Sequence, residues 1–141
     1  PWLLGEGRAE RARQDSLLHR CAFDNNNLRC VCYDFLVASG YANPDGSRHW
    51  PLPLHTTTAD FDAAAFARER AREMLGEVRE GGFLLGKRVS AADLFLYEHL
   101  VLCSCVDSEL DSMLPAAKEF RERVEALPAV KAYREGPDWI E

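Results

Sequence analysis

The strongest constraint on this chain is the run Val89-Ser90-Ala91-Ala92-Asp93-Leu94-Phe95-Leu96-Tyr97-Glu98-His99-Leu100-Val101-Leu102-Cys103. Ser90 is placed to cap a helix, and Asp93, three residues on, can return its carboxylate to the Ser90 N–H. That is a capping box of the S-x-x-D kind. Val89 before the cap and Leu94 inside the first turn suit the accompanying hydrophobic staple. Beyond the cap, apolar residues fall on nearly every side of the helix. A helix apolar all round belongs in the middle of a bundle, and Glu98 and His99 interrupt this one too early for it to span a membrane. The run predicts a buried central helix in an all-α domain.

A length of 141 residues suits one domain with a sizeable core. Hydrophobic content of 47% with 28% charged residues is ordinary for a folded globular chain and argues against disorder. The net charge of -6 argues against nucleic acid as a partner, since phosphate binding needs clustered Lys and Arg. Arg68, Arg70, Arg72, Arg121 and Arg123 are interleaved with acids and read as solvated helix faces. With no signal-peptide or membrane-span pattern, the cytosol is the expected compartment and no membrane partner is expected. Five cysteines (Cys21, Cys30, Cys32, Cys103, Cys105) include two C-x-C pairs. On a helix that spacing sets thiols about 200° apart, unlike the C-x-x-C of zinc sites. An odd count in such a chain does not suggest a disulfide framework, so reduced, mostly buried cysteines are expected.

Pro1 to Gly7 read as an incoming linker, and residues 8–141 as one helical domain. A long first helix is predicted from Arg8 to about Ser39, carried through the poor helix formers Asp24-Asn25-Asn26-Asn27 by the apolar period of Leu17, Cys21, Leu28 and Phe35, and ended by Gly40. Residues 41–58 are a Pro- and Gly-punctuated loop. A second helix is expected from about Asp60 to Arg79, capped near Thr58, with Ala64, Ala67, Ala71, Met74 and Val78 inward. Gly82 and Gly86 bracket the apolar connector Phe83-Leu84-Leu85. After Cys105 a polar link leads to a helix over 115–126, with Pro115 early where its missing N–H costs nothing. A short closing helix runs from Pro128 to about Glu135, and Gly136-Pro137 stops it. No strand pattern and no repeat emerges.

No catalytic constellation and no metal site is legible: G-x-S-x-G, H-E-x-x-H and P-loop patterns are all lacking. His99 reads as a hydrogen-bonded core histidine, and His49 and His55 as surface residues. Asp93 reads as a capping residue. Tyr33 and Val37, one turn apart, can line an apolar pocket to which Tyr33 adds a polar handle, and Trp139 with Ile140 can cover it.

The segment Gly86-Lys87-Arg88-Val89-Ser90-Ala91-Ala92-Asp93 with its apolar helix resembles the capping-box segment in the C-terminal helical domain of cytosolic glutathione transferases. The closing runs from Leu114-Pro115 through Phe120 to Val124, and from Leu127-Pro128 to Tyr133, are similar to that domain's last helices. Glu10-Arg11-Ala12-Arg13 and Leu28-Arg29-Cys30 resemble its long first helix, nearest the pi and sigma classes. The resemblance covers essentially the whole chain.

The resemblance implies a two-domain, homodimeric enzyme that conjugates glutathione, its co-substrate, to hydrophobic electrophiles. In such enzymes a thioredoxin-like N-terminal domain activates the thiol. The chain is expected to begin at the inter-domain linker, without that domain, and so to have no catalytic residue and bind no cofactor alone. The helical half supplies the wall of the electrophile pocket, part of the dimer interface, and an acid for the partner subunit's glutathione amine. That acid's position falls at Asn27, which carries no charge; Asp24, one turn earlier, is the substitute. The aromatic hydroxyl of the pi-class pocket falls near Val37, with Tyr33 one turn before. Relatives of this fold also serve as non-catalytic interaction modules in translation factors and synthetase complexes, and a stand-alone helical ligand binder is a third reading.

Overall fold

A computed structural model describes residues 4–31, 62–80 and 82–136. Six helices lie among them: α1 (Gly7–Val31), α2 (Ala63–Leu75), α3 (Ala91–Val106), α4 (Leu110–Met113), α5 (Pro115–Glu125) and α6 (Pro128–Arg134). The one antiparallel bridge among them pairs Phe83 with Gly86. The architecture is an all-α bundle with α3 at its centre, packed against α1, α2 and α5.

The central helix is buried as its composition demands. Ala92, Asp93, Leu96, His99, Leu100, Leu102, Cys103 and Val106 are all buried, whereas Phe95 is 40% exposed. Leu17 and Cys21 of α1, Ala67, Ala71 and Met74 of α2, and Phe120 and Val124 of α5 close around them as one core. Alanines make up most of what α2 buries in this core, whereas α5 contributes the larger Phe120 and Val124. Helix α1 runs unbroken through Asp24-Asn25-Asn26-Asn27 to Val31. The expected continuation to Ser39 and its Gly40 cap lie outside the described residues.

Three local expectations are corrected. Helix α2 starts at Ala63, not near Asp60, because Asp62 takes an extended backbone (φ -83, ψ 91) and its Oδ1 accepts the Ala65 N–H at 2.8 Å. It also ends earlier, at Leu75, with Gly76 as C-cap. Its inward stripe therefore begins at Ala63, while Ala64 is only half-buried and Val78 packs on the core from beyond the helix. The polar link after Cys105 contains a helical turn, α4, whose Leu110 is fully buried. A lone apolar residue among Asp107, Glu109 and Asp111 gives no periodicity, so sequence alone could not resolve that turn.

The connector before α3 is a tight turn. Phe83 N–H donates to Gly86 C=O and Gly86 N–H to Phe83 C=O, each at 3.0 Å. Gly82 and Gly86 adopt φ of 94° and 104°, a region that only glycine enters at little cost. The turn buries Leu84 completely and sets Phe83 edge-on to Phe120, with ring centroids 6.4 Å apart.

Candidate functional site

At the start of α3, Ser90 N–H donates to Asp93 Oδ2 at 2.7 Å as the returning half of the capping box, and Ser90 Oγ–H donates to the same oxygen at 2.7 Å. Val89 and Leu94 are both half-buried against the core. The other oxygen, Oδ1, accepts the Leu84 N–H at 2.8 Å. Capping therefore does not account for the whole of this carboxylate: it also ties the Phe83–Gly86 turn to the central helix. Burial pushes the Asp93 carboxyl above its usual range, and the bonds from Leu84 and Ser90 oppose that shift without overcoming it. A fully buried carboxylate held by three donors has no free face for substrate, so Ser90 and Asp93 build the fold.

His99 is the second buried titratable group on α3. It is fully buried, its ring hydrogen-bonds the Arg70 main chain, and Nε2 lies 3.6 Å from Cys103 Sγ. Burial lowers its pKa to about 4, so the imidazole is neutral near pH 7. With no solvent path it cannot exchange protons with a reactant, in keeping with the core reading. Cys21 and Cys103 are buried thiols, and Cys105 is half-buried. Among the described residues no three His, Cys, Asp or Glu side chains converge on a point that would hold a metal.

A shallow, solvent-open concavity of about 400 Å³ lies at the start of α1, lined by Gly7, Arg8, Arg11, Ala12 and Asp15. The segment before the helix is tied to α1 next to it. Gly5 N–H donates to Gln14 Oε1 at 2.7 Å, Gln14 being 2% exposed, and Arg11 Nε donates to Gly5 C=O at 3.2 Å. Arg88, from the turn that feeds α3, ion-pairs with Glu6 and Glu10 beside it. Glycines and charges before a helix carry no sequence signal for this arrangement. The buried Gln14 is the one hint, as a polar residue on the side of α1 that also carries Leu17 and Cys21.

Of the residues expected to bind ligand, Tyr33, Val37 and Trp139 lie outside the described residues. Asp24 and Asn27 fall on the helical part of α1.

Two cross-helix devices escaped sequence reading. Arg68 Nε donates to Asp107 Oδ2 at 2.8 Å, joining α2 to the end of α3, with Asp107 only 3% exposed. Arg121 of α5 reaches Ser104 Oγ at 2.9 Å and both oxygens of Asp111. Each partner lies tens of residues away or on another helix, where local pattern says nothing of proximity.

Fold and geometry together define a helical bundle built around an internally capped core helix. Residues 55–137 match a family model described as the glutathione S-transferase C-terminal domain. This covers more than half of the chain, which therefore belongs to that family. The chain is also similar to glutathione S-transferase P 10 of Caenorhabditis elegans, 33% identical over 63 residues. That match covers 45% of this chain and spans 30% of the relative's length.

Proposed function

We propose that this chain is the helical half of a glutathione transferase, with residues 1–7 a linker from a thioredoxin-like domain of the same protein. In this reading the bundle holds a hydrophobic electrophile and contributes to a homodimer in the cytoplasm. No helix among the described residues is long and apolar enough to cross a membrane. The family match over 55–137 is the observation that carries the reading. Thiol activation belongs to the other domain, and this half confers catalysis by positioning. Tyr33, Val37 and Trp139 are the proposed electrophile contacts, and Asp24 or Asn27 the contact to the glutathione amine across the dimer.

The test is glutathione conjugation of an aryl halide by the protein expressed from its complete gene, beside residues 1–141 alone. Turnover is expected from the former and not from the latter. Tyr33→Phe is expected to raise KM for the electrophile several-fold while leaving the melting temperature unchanged. A complete reading frame without a thioredoxin-like segment, or with no turnover, would sink the conjugating role and leave the interaction module.

A further inference from the structure

The chain ahead of α1 is held by side chains of that helix. Gly5 N–H donates to Gln14 Oε1 at 2.7 Å, and Arg11 Nε donates to Gly5 C=O at 3.2 Å. Glu6 N–H donates to Glu10 Oε2 at 2.7 Å. Three main-chain polar groups of two adjacent residues are thus taken up by positions 10, 11 and 14, which share one side of the helix. Gln14 is 2% exposed and Gly5 is buried, so water does not compete for the bond between them.

The fit around Gly5 is as close as the bonding. A Cβ added there would lie 2.8 Å from Glu10 C and 2.9 Å from Arg11 N, main-chain atoms that cannot swing aside. Gly7 then leads the chain into α1 at a φ of 73°. Arg88 adds ion pairs to Glu6 and Glu10. The Glu6 side chain is 79% exposed and that of Arg88 43%, so water screens their pair and it contributes little.

We propose that Gln14 is a positioning residue: with the close fit of Gly5 it makes the entry to α1 a rigid joint. Two glycines within Leu4-Gly5-Glu6-Gly7 would make the same stretch a swivel if it were undocked. Docking fixes the torsions of Gly5 and Glu6, and so sets one direction in which the chain meets the bundle. On the reading that a thioredoxin-like domain precedes this segment, the joint holds that domain in one orientation to the bundle, as catalysis by positioning requires. That consequence rests on the proposed function; the joint itself does not.

Amide nitrogen relaxation of residues 1–141, measured by NMR, tests the joint whatever domain precedes it. Gly5 and Glu6 are expected to show order parameters near those of α3, about 0.85. Gln14→Met keeps the length of the side chain and removes the acceptor oxygen. It is expected to drop Gly5 and Glu6 below about 0.6 with α3 unmoved. Gly5→Ala, which keeps Gln14 intact, is expected to do the same and decides the matter should Gln14→Met loosen α3 as well. Arg88→Gln is expected to leave both residues rigid. Order parameters below about 0.6 at Gly5 and Glu6 in the wild type would overturn the proposal. So would either Gln14→Met or Gly5→Ala leaving them rigid, or Arg88→Gln freeing them as fully as those two.

Discussion

Asp93 Oδ1 accepts the backbone N–H of Leu84 at 2.8 Å, nine residues back along the chain, while Oδ2 caps its own helix. One side chain therefore sets both where α3 begins and where the preceding turn sits. Asp93→Ala removes a cap, at about 1 kcal/mol. It also leaves the buried Leu84 N–H without an acceptor, at about 1–3 kcal/mol more. A total loss of about 2–4 kcal/mol is expected by urea unfolding, against about 1 kcal/mol for an exposed helix cap. A loss no larger than that would show that the Leu84 bond contributes nothing.

The core histidine makes stability depend on pH. The folded pKa of His99 is about 4, below the 6.5 of an unfolded chain. Between those values the unfolded state binds the extra proton, so stability is full above pH 6.5 and is lost as pH falls toward 4. The magnitude is of the order of 3 kcal/mol across that window. Asp93 acts in the opposite direction: its raised pKa favours the folded state below the usual carboxylate range, and this is lost as pH rises through the folded value. Unfolding midpoints of the wild type and His99→Gln from pH 7 to 4 separate the two. The variant is expected to lose most of the slope; an unchanged slope would assign it to other groups.

Arg68 and Arg72 lie one turn apart on α2, and both carry ion pairs. Arg68 meets a buried carboxylate on another helix, and Arg72 meets Glu69 with both side chains about half exposed. Water screens the second pair, whereas removing Arg68 strands the buried Asp107 charge. Thermal melts are expected to show Arg68→Met clearly lowered in Tm and Arg72→Met near the wild type. Equal Tm values would mean that Asp107 is readily resolvated.

Two glycines permit the turn before α3 for the same backbone reason but in different surroundings. Alanine at Gly86 meets nothing within 4 Å and bears only its positive φ, about 1 kcal/mol. Alanine at Gly82 also meets the Arg123 guanidinium at 2.9 Å, whose NH1 donates to Gly82 C=O at 2.8 Å. Gly82→Ala is expected to be the more destabilising of the two in denaturant titrations. The reverse order would mean that Arg123 moves aside freely.

How legible the chain was follows from how local each signal is. The capping box of Ser90 and Asp93, the prolines opening α5 and α6, and the uninterrupted α1 all rest on neighbours within a turn or two. So did the family resemblance, whose capping-box segment and closing runs lie within the matched residues 55–137. The start of α2 was misplaced because Thr58 and Asp62 are both competent caps, and backbone geometry chooses between them. Tyr33, Val37 and Trp139 lie outside the described residues, so the proposed pocket rests on sequence and resemblance.

By itself the sequence determined that the chain is all-helical and that the run capped by Ser90 and continuing through Cys103 forms its buried core helix, because hydrophobic period and capping chemistry act over a few residues. Only the tertiary structure decided that Leu84 needs Asp93, that Asp107 needs Arg68, and that Glu125 bridges Tyr97 to Arg134. Those partners are set by how the helices pack, and a buried polar group is satisfied by whatever packing brings within 3 Å, at any separation along the chain.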